Sequence, residues 1–487
     1  MPEESDKAKP ESGPDLQKDL LRQIRAKVEQ QDAQAAPGQD LGSSLADLNA
    51  ADSGKLALAK FIAFRKLALM ILRVHGALIL GLSITLALLL SFVFRLNPAF
   101  AFAGSLVAGL IFSVAISPIK ELWNSALSNA CQQVGLWKVS YSLSQEGARD
   151  PITEILSGKF PANAGPMLGL KVSQLQLLSA RKGDLKTAVK YGEYLYRDSM
   201  GDKDSHSFQA STLGSTYVEL GNYDRGFSLL GECLDELDQA ARRDSPAYIT
   251  GLLGMLYGAI ELERIQESEK FLNRLAKAIE HSHATKNANP ADRWVRDDLT
   301  NSYSIEQAFQ LFYEARVKEL KSDSKAEAEF VKALQIAKRN DIQSTVVLLY
   351  PDILTCFAMF KLRTGSFDEA HKLASEAASY YEARTENRAL DYWKARLAAA
   401  YASFKKGEAM TREFEEGLRV LKDCVLELHP SVACAHLWLG ESQAKDGDLE
   451  KARDNINQAL RIRKQLFDEN SRGVKEATSA LALLPPV

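Results

Sequence analysis

The chain has 487 residues, 46% of them hydrophobic and 25% charged, with a formal net charge of −3. That length allows two or three domains, and the composition is that of an ordinary globular protein, so most of the chain is expected outside any membrane. The basic excess of a nucleic-acid binder is missing, and no nucleic acid is expected as a partner. Cys131, Cys233, Cys356, Cys424 and Cys434 show no CxxC or other tight ligand spacing. They read as small buried apolar residues of a reducing compartment, which leaves no metal site among them.

Residues 1–54 hold Pro2, Pro10, Pro14 and Pro37, few large apolar side chains and no aromatic. Such a segment buries too little surface to offset its ordering entropy, which predicts a disordered tail. Within it Leu16, Leu20, Ile24 and Val28 recur at four-residue spacing behind Asp15, the pattern of a short amphipathic helix.

Residues 55–73 mix Leu, Ile and Phe with Lys55, Lys60, Arg65, Lys66 and Arg73. Basic side chains of this length reach anionic headgroups while their apolar neighbours lie at the interface, so a juxtamembrane helix is expected. Residues 74–94 and 99–117 are then two apolar runs, each about 20 residues, the length a helix needs to cross a bilayer. Ala77, Gly81 and Thr85 on the first, and Ala101, Ser105, Gly109 and Ser113 on the second, are small residues at four-residue spacing. They suit close packing of two transmembrane helices.

The basic cluster precedes the first run, only Arg95 lies between the runs, and Lys120 and Lys138 follow the second. By the positive-inside rule both termini and everything after the hairpin face the cytoplasm. The first run begins far beyond the roughly 15–30-residue window of a cleaved signal, so the hairpin is expected to stay as an anchor. Residues 118–165 read as a helical connector.

From residue 166 to 487 the chain is a succession of amphipathic segments that repeat. A glycine, an aromatic or Leu two residues on, and a small residue three further recur as Gly183, Leu185, Ala188; Gly221, Tyr223, Gly226; Gly365, Phe367, Ala370; and Gly447, Leu449, Ala452. Leu-Gly precedes two of these at nearly one offset, in Leu213-Gly214 and Leu439-Gly440. The glycines Gly183 and Gly221 are 38 residues apart, Gly365 and Gly407 are 42 apart, and Gly407 and Gly447 are 40 apart. The period predicts about seven helix pairs and a terminal helix over 472–484, an atypical last element of the kind that covers the open end of a solenoid.

This pattern resembles the tetratricopeptide repeat, and its long period resembles the kinesin-light-chain type. The clearest match is 429–467, through His429-Pro430, Val432, Leu439-Gly440, Gly447, Ala452 and the run Ala459 to Arg463. The resemblance implies an all-α solenoid of antiparallel helix pairs, preceded here by two transmembrane helices and a disordered tail. It fades over 250–280 and 301–340, where the turn glycine is missing, and 281–298 reads as an inserted loop.

The familiar signatures of nucleotide, acyl-transfer and zinc chemistry, GxxxxGK[ST], GxSxG, HExxH and a helix-opening GxGxxG, do not occur. His281 and His283 are two apart, where a helical metal pair needs three or four. No catalytic residue, cofactor or metal is assigned, and the chain is read as a binding protein rather than an enzyme. A solenoid of helix pairs offers a concave groove lined by the first helix of each pair, suited to an extended peptide or a partner helix. Projecting the repeat places Ser211, Ser215 and Glu219, then Thr355 and Arg363, then Lys394, Tyr401 and Lys405, then Glu441 and Lys445 toward it. The Lys/Asn set with which chaperone-binding relatives clamp a carboxylate terminus is not among them.

The resulting expectation is a membrane-anchored scaffold that binds a protein or peptide through its groove and the lipid bilayer through its hairpin. The alternative is an accessory subunit of a membrane complex or transport system, acting through a homo-oligomer of the hairpin.

Overall fold

A computed structural model describes residues 149–159, 161, 168–288, 302–340, 348–384 and 389–485, together with 57, 59–64, 127, 128, 130, 131, 140, 143 and 144. Two compact units divide the chain at Leu143 and Ser144. Among the described residues no helix is long and apolar enough to cross a membrane. The apolar runs of 74–94 and 99–117, the tail of 1–54 and most of 118–148 lie outside the described residues.

In the first unit Ala59 and Ala63 are fully buried against Leu127, Ala130, Cys131 and Leu143. The same short helical stretch leaves Phe61 51% and Phe64 65% exposed, so its alanine side packs inward and its phenylalanines face out.

The second unit is helical throughout its described residues. Helix α1 (Arg149–Leu156) is followed by α2 (Leu168–Arg181), α3 (Leu185–Asp198), α4 (Lys203–Leu220), α5 (Tyr223–Gln239), α6 (Pro246–Glu261), α7 (Ile265–Ala288), α8 (Ser302–Leu320) and α9 (Ala326–Asn340). Then come α10 (Leu349–Arg363), α11 (Phe367–Arg384), α12 (Leu390–Lys405), α13 (Thr411–Cys424), α14 (Pro430–Lys445), α15 (Leu449–Leu466) and α16 (Arg472–Ala482). Helices α2 to α15 form seven consecutive pairs and α16 stands alone at the end, while α1 packs against α3. Lys190 on α3 donates to the Leu156 carbonyl at 3.0 Å, tying α1 to the first pair.

One turn geometry serves all seven pairs. Gly183, Gly221, Glu263, Ser322, Gly365, Gly407 and Gly447 each adopt a positive φ, between 54° and 110°. In every case the N–H of that residue donates to the carbonyl three back, and the next N–H donates to the carbonyl five back, at 2.8–3.2 Å. This is the left-handed cap that satisfies the last carbonyls of a helix. The two repeats that lack a turn glycine therefore make the same turn with Glu263 and Ser322, at a steric cost of about 1–2 kcal/mol each.

Glycine is needed differently where helices cross. A Cβ on Gly226 of α5 would lie 2.9 Å from the carbonyl oxygen of Gly214 on α4, and one on Gly214 would lie 3.1 Å from that of Gly226. Two glycines thus bring the backbones of the second pair into contact. Gly440 stands likewise over the Ala452 carbonyl in the seventh pair, where a Cβ would be 2.9 Å away.

The insert expected over 281–298 begins as helix instead. Helix α7 runs on to Ala288, because no glycine or proline interrupts it until Pro290, whose ring disfavours helix in the residue before it.

Candidate functional site

The first helices of the pairs, α2, α4, α6, α8, α10, α12 and α14, carry a line of charged and aromatic side chains in fixed register with the turns. Two residues before the left-handed turn residue stand Arg181, Glu219, Glu261, Leu320, Arg363, Lys405 and Lys445, all charged except Leu320. Six residues before it stand Leu177, Ser215, Tyr257, Arg316, Met359, Tyr401 and Glu441. A repeating helix presents both positions on one side, so the register builds a stripe from separate repeats.

Neighbouring repeats are cross-linked along this stripe. Arg316 on α8 pairs with Glu261 on α6 at 3.2 Å and donates to the Cys356 sulfur on α10 at 2.9 Å. Glu319, 4% exposed, takes Arg363 of α10 as a partner and lies 3.7 Å from the Arg316 guanidinium. Farther along, the Glu441 carboxylate on α14 accepts from both Tyr401 and Lys405 on α12, each at 2.8 Å. The Tyr401 ring stacks on Trp438 at 4.4 Å between centroids, with the Lys405 ammonium 4.7 Å from its centre.

Titration behaviour follows from this crowding. Burial pushes the Glu219 carboxyl up to about 7, with Asp391 adding to the rise and Lys394 and Arg181 opposing it. Burial would raise Glu261 too, but Lys394 and Arg316 outweigh it and hold that carboxyl at about 2. Arg363 is drawn down to about 9, first by burial and then by repulsion from Arg472 and Arg316. The stripe therefore contains one carboxylate held charged, Glu261, and one, Glu219, that gains a proton near neutrality.

The residues projected from sequence fall into three groups. Glu219, Arg363, Lys394, Tyr401, Lys405 and Glu441 take part in the interactions just described. Lys445 is exposed and donates to the Gly407 carbonyl at 2.9 Å. Ser211 and Thr355 are buried between helices, their hydroxyls bonded to the carbonyls of Phe208 and Pro351 on their own helices at 2.8 and 2.9 Å. Ser215 likewise donates to the Ser211 carbonyl at 2.9 Å. The projection omits Tyr257, Glu261, Arg316 and Glu319. The first three stand at the register positions of Tyr401 and Lys405 once Glu263 and Ser322 are counted as turn residues.

Among the described residues no group of three or more His, Cys, Asp and Glu could hold a metal ion. No protein-family model matches the chain, and no curated protein is similar to it. One solved structure, "Circular tandem repeat protein with novel repeat topology and enhanced subunit contact surfaces", is similar over 88% of this chain and 93% of that one, at 10% identity and a TM-score of 0.19. The description of this chain as a helical repeat solenoid stands on its own seven turns and paired helices.

Proposed function

We propose that this protein is a membrane-anchored adaptor, a tetratricopeptide-type scaffold that holds a protein or peptide segment against the face lined by its first helices. The observation that carries the reading is the register itself: six repeats place a charged side chain two residues before the turn, where stacked repeats offer them jointly. Rows of this kind read an extended segment by several weak polar contacts at once. Both signs are present, Glu261 and Glu441 on the one hand and Lys405 and Lys445 on the other, so the segment it fits carries mixed charge.

Membrane attachment rests on the two uncharged runs of 74–94 and 99–117 and the basic residues ahead of them. The outward Phe61 and Phe64 beside Lys60 suit an apolar and anionic surface such as a bilayer interface. In this reading both ends of the chain lie on the cytoplasmic side.

The test uses the full chain in membranes, with photo-crosslinking from residues 215 and 359, two other positions of the same register, to trap what lies on the face. Crosslinks to a distinct protein that Lys405→Glu with Lys445→Glu abolishes support the adaptor. Crosslinks only to other copies of this chain would replace it with a self-associating subunit. Reporters inserted at residues 97 and 160 check the hairpin, and opposite sides are the expected result.

A further inference from the structure

The C-terminal repeats return to the N-terminal ones. Leu426, between α13 and α14, donates its backbone N–H to the Leu220 carbonyl at the end of α4, at 2.9 Å. His429 packs on the adjoining Gly221, where a Cβ would come within 3.1 Å of the imidazole. Leu466 and Phe467, at the end of α15, pack against the cluster of Val218, Tyr223, Leu230 and Leu262. These contacts bring the last pair against the second and third.

Helix α16 completes the closure in a different way. It has 11 residues and buries only Gly473, Val474, Ala477 and Ala480, side chains too small to hold a short helix by apolar burial alone. Its hold is polar: Arg463 on α15 donates to the Gly473 carbonyl at 2.7 Å and to the Glu476 carboxylate at 2.8 Å, and a second set at the first turn reaches the third and fourth repeats. The Gly473 N–H donates to the Glu263 carboxylate at 3.1 Å, and the Arg472 guanidinium lies 3.8 Å from both Glu263 and Glu319.

Glu263 is the residue that takes the left-handed turn position glycine fills in five other repeats. A strained backbone persists where its side chain is used, and here the carboxylate is what glycine lacks. It reaches the N-terminal end of α16, where a negative charge is favoured.

We infer that Glu263 is the catch of a closing latch: α16, docked on the third and fourth repeats through Glu263 and Glu319, holds the solenoid shut, and its release opens the first-helix face to a partner. The inference rests on the adaptor reading for what enters, but the latch is measured without a partner. Because the catch is a few ion pairs around a marginal helix, it opens far below the free energy of unfolding.

Glu263→Gly is the informative change, since it removes the carboxylate and installs the residue that five turns already use. Hydrogen exchange on the full chain is expected to show α16 amides at least tenfold faster in Glu263→Gly, with α2 and α3 unchanged. Glu263→Gln, which keeps an acceptor for Gly473 but no charge for Arg472, should give a smaller rise. Acylation of Lys394, whose side chain is 20% exposed among the first helices, should quicken severalfold relative to the exposed Lys451. Unchanged α16 exchange in Glu263→Gly would overturn the latch, and faster α16 exchange with unchanged Lys394 acylation would overturn its gating role. If both rise while neither form crosslinks a partner, the latch stands and the adaptor reading fails.

Discussion

The Lys394 ammonium on α12 donates to the phenol of Tyr257 on α6 at 3.0 Å, joining residues 137 apart in the chain. The two helices belong to the third and sixth pairs, so the bond spans the solenoid rather than one repeat interface. Lys394→Met removes the cation that Glu261 faces and should cost about 1.5–3 kcal/mol, the range for a charged hydrogen bond lost at a largely covered site. Tyr257→Phe should cost less, about 0.5–1.5 kcal/mol. Denaturant unfolding of both single variants and the double checks this, and strict additivity would show that the two residues do not act together.

The repeat was readable because its punctuation is chemical. Gly183, Gly221, Gly365, Gly407 and Gly447 are where a left-handed cap is cheapest, so they show in sequence. Glu263 and Ser322 make the same turn at a cost met by tertiary context, and no local rule marks them. Losing those two markers shifts the register of two repeats, which is why Tyr257, Glu261 and Arg316 escape a projection that finds Tyr401 and Lys405. A period does not resolve which flank of a helix its neighbours cover, so it projects Ser211 and Thr355 onto the groove although both are buried. The return of Leu426 to Leu220 is a long-range contact with no sequence signal at all.

A half-buried carboxyl and a fully buried imidazole give opposite pH dependences. Glu219 is raised from its ordinary 4.5 to about 7, so the folded chain binds its proton more tightly than the unfolded chain does. Its contribution is intact below about 4.5 and falls away as pH rises toward 7. His429 is lowered from 6.5 to about 3, by burial and then by Lys394, so stability is lost as pH falls through that window. Glu219→Gln should therefore gain on the order of 1 kcal/mol over the parent at pH 8 relative to pH 4, a figure reduced for its partial exposure. His429→Asn keeps a capping side chain for Ser431 and should flatten the acid limb instead. Urea midpoints across pH 4–8 separate the two, and parallel curves for parent and variants would contradict both assignments.

The exposed turn at Ser322 isolates backbone strain from packing. Ser322→Gly relieves the left-handed penalty but frees the unfolded chain, for a net gain of about 0.5–1 kcal/mol. Gly365 has a φ of 79° and nothing within 4 Å of where its Cβ would stand. Gly365→Ala should accordingly lose about 1 kcal/mol with no steric contact to explain it. Opposite shifts in melting temperature are expected, and a stabilising Gly365→Ala would mean that turn is not held left-handed in solution.

Helix α5 contains two glycines whose replacement should act in opposite directions. A Cβ on Gly226 would come within 2.6 Å of the Val218 side chain and 2.9 Å of the Gly214 carbonyl, the second being backbone that cannot turn aside. Gly226→Ala must push α4 and α5 apart along their crossing, an overpacking worth about 1–3 kcal/mol or more. Gly231 lies one and a half turns further on, and its nearest neighbour would be the Met255 methyl at 3.9 Å. There an added methyl meets ordinary contact and lowers the unfolded chain's freedom, so Gly231→Ala should stabilise by about 0.5–1 kcal/mol. The separation of the two unfolding midpoints measures how far close backbone approach, rather than helix propensity, sets the spacing of the second pair. Equal stabilisation by both would mean that α4 and α5 do not cross at Gly214 and Gly226.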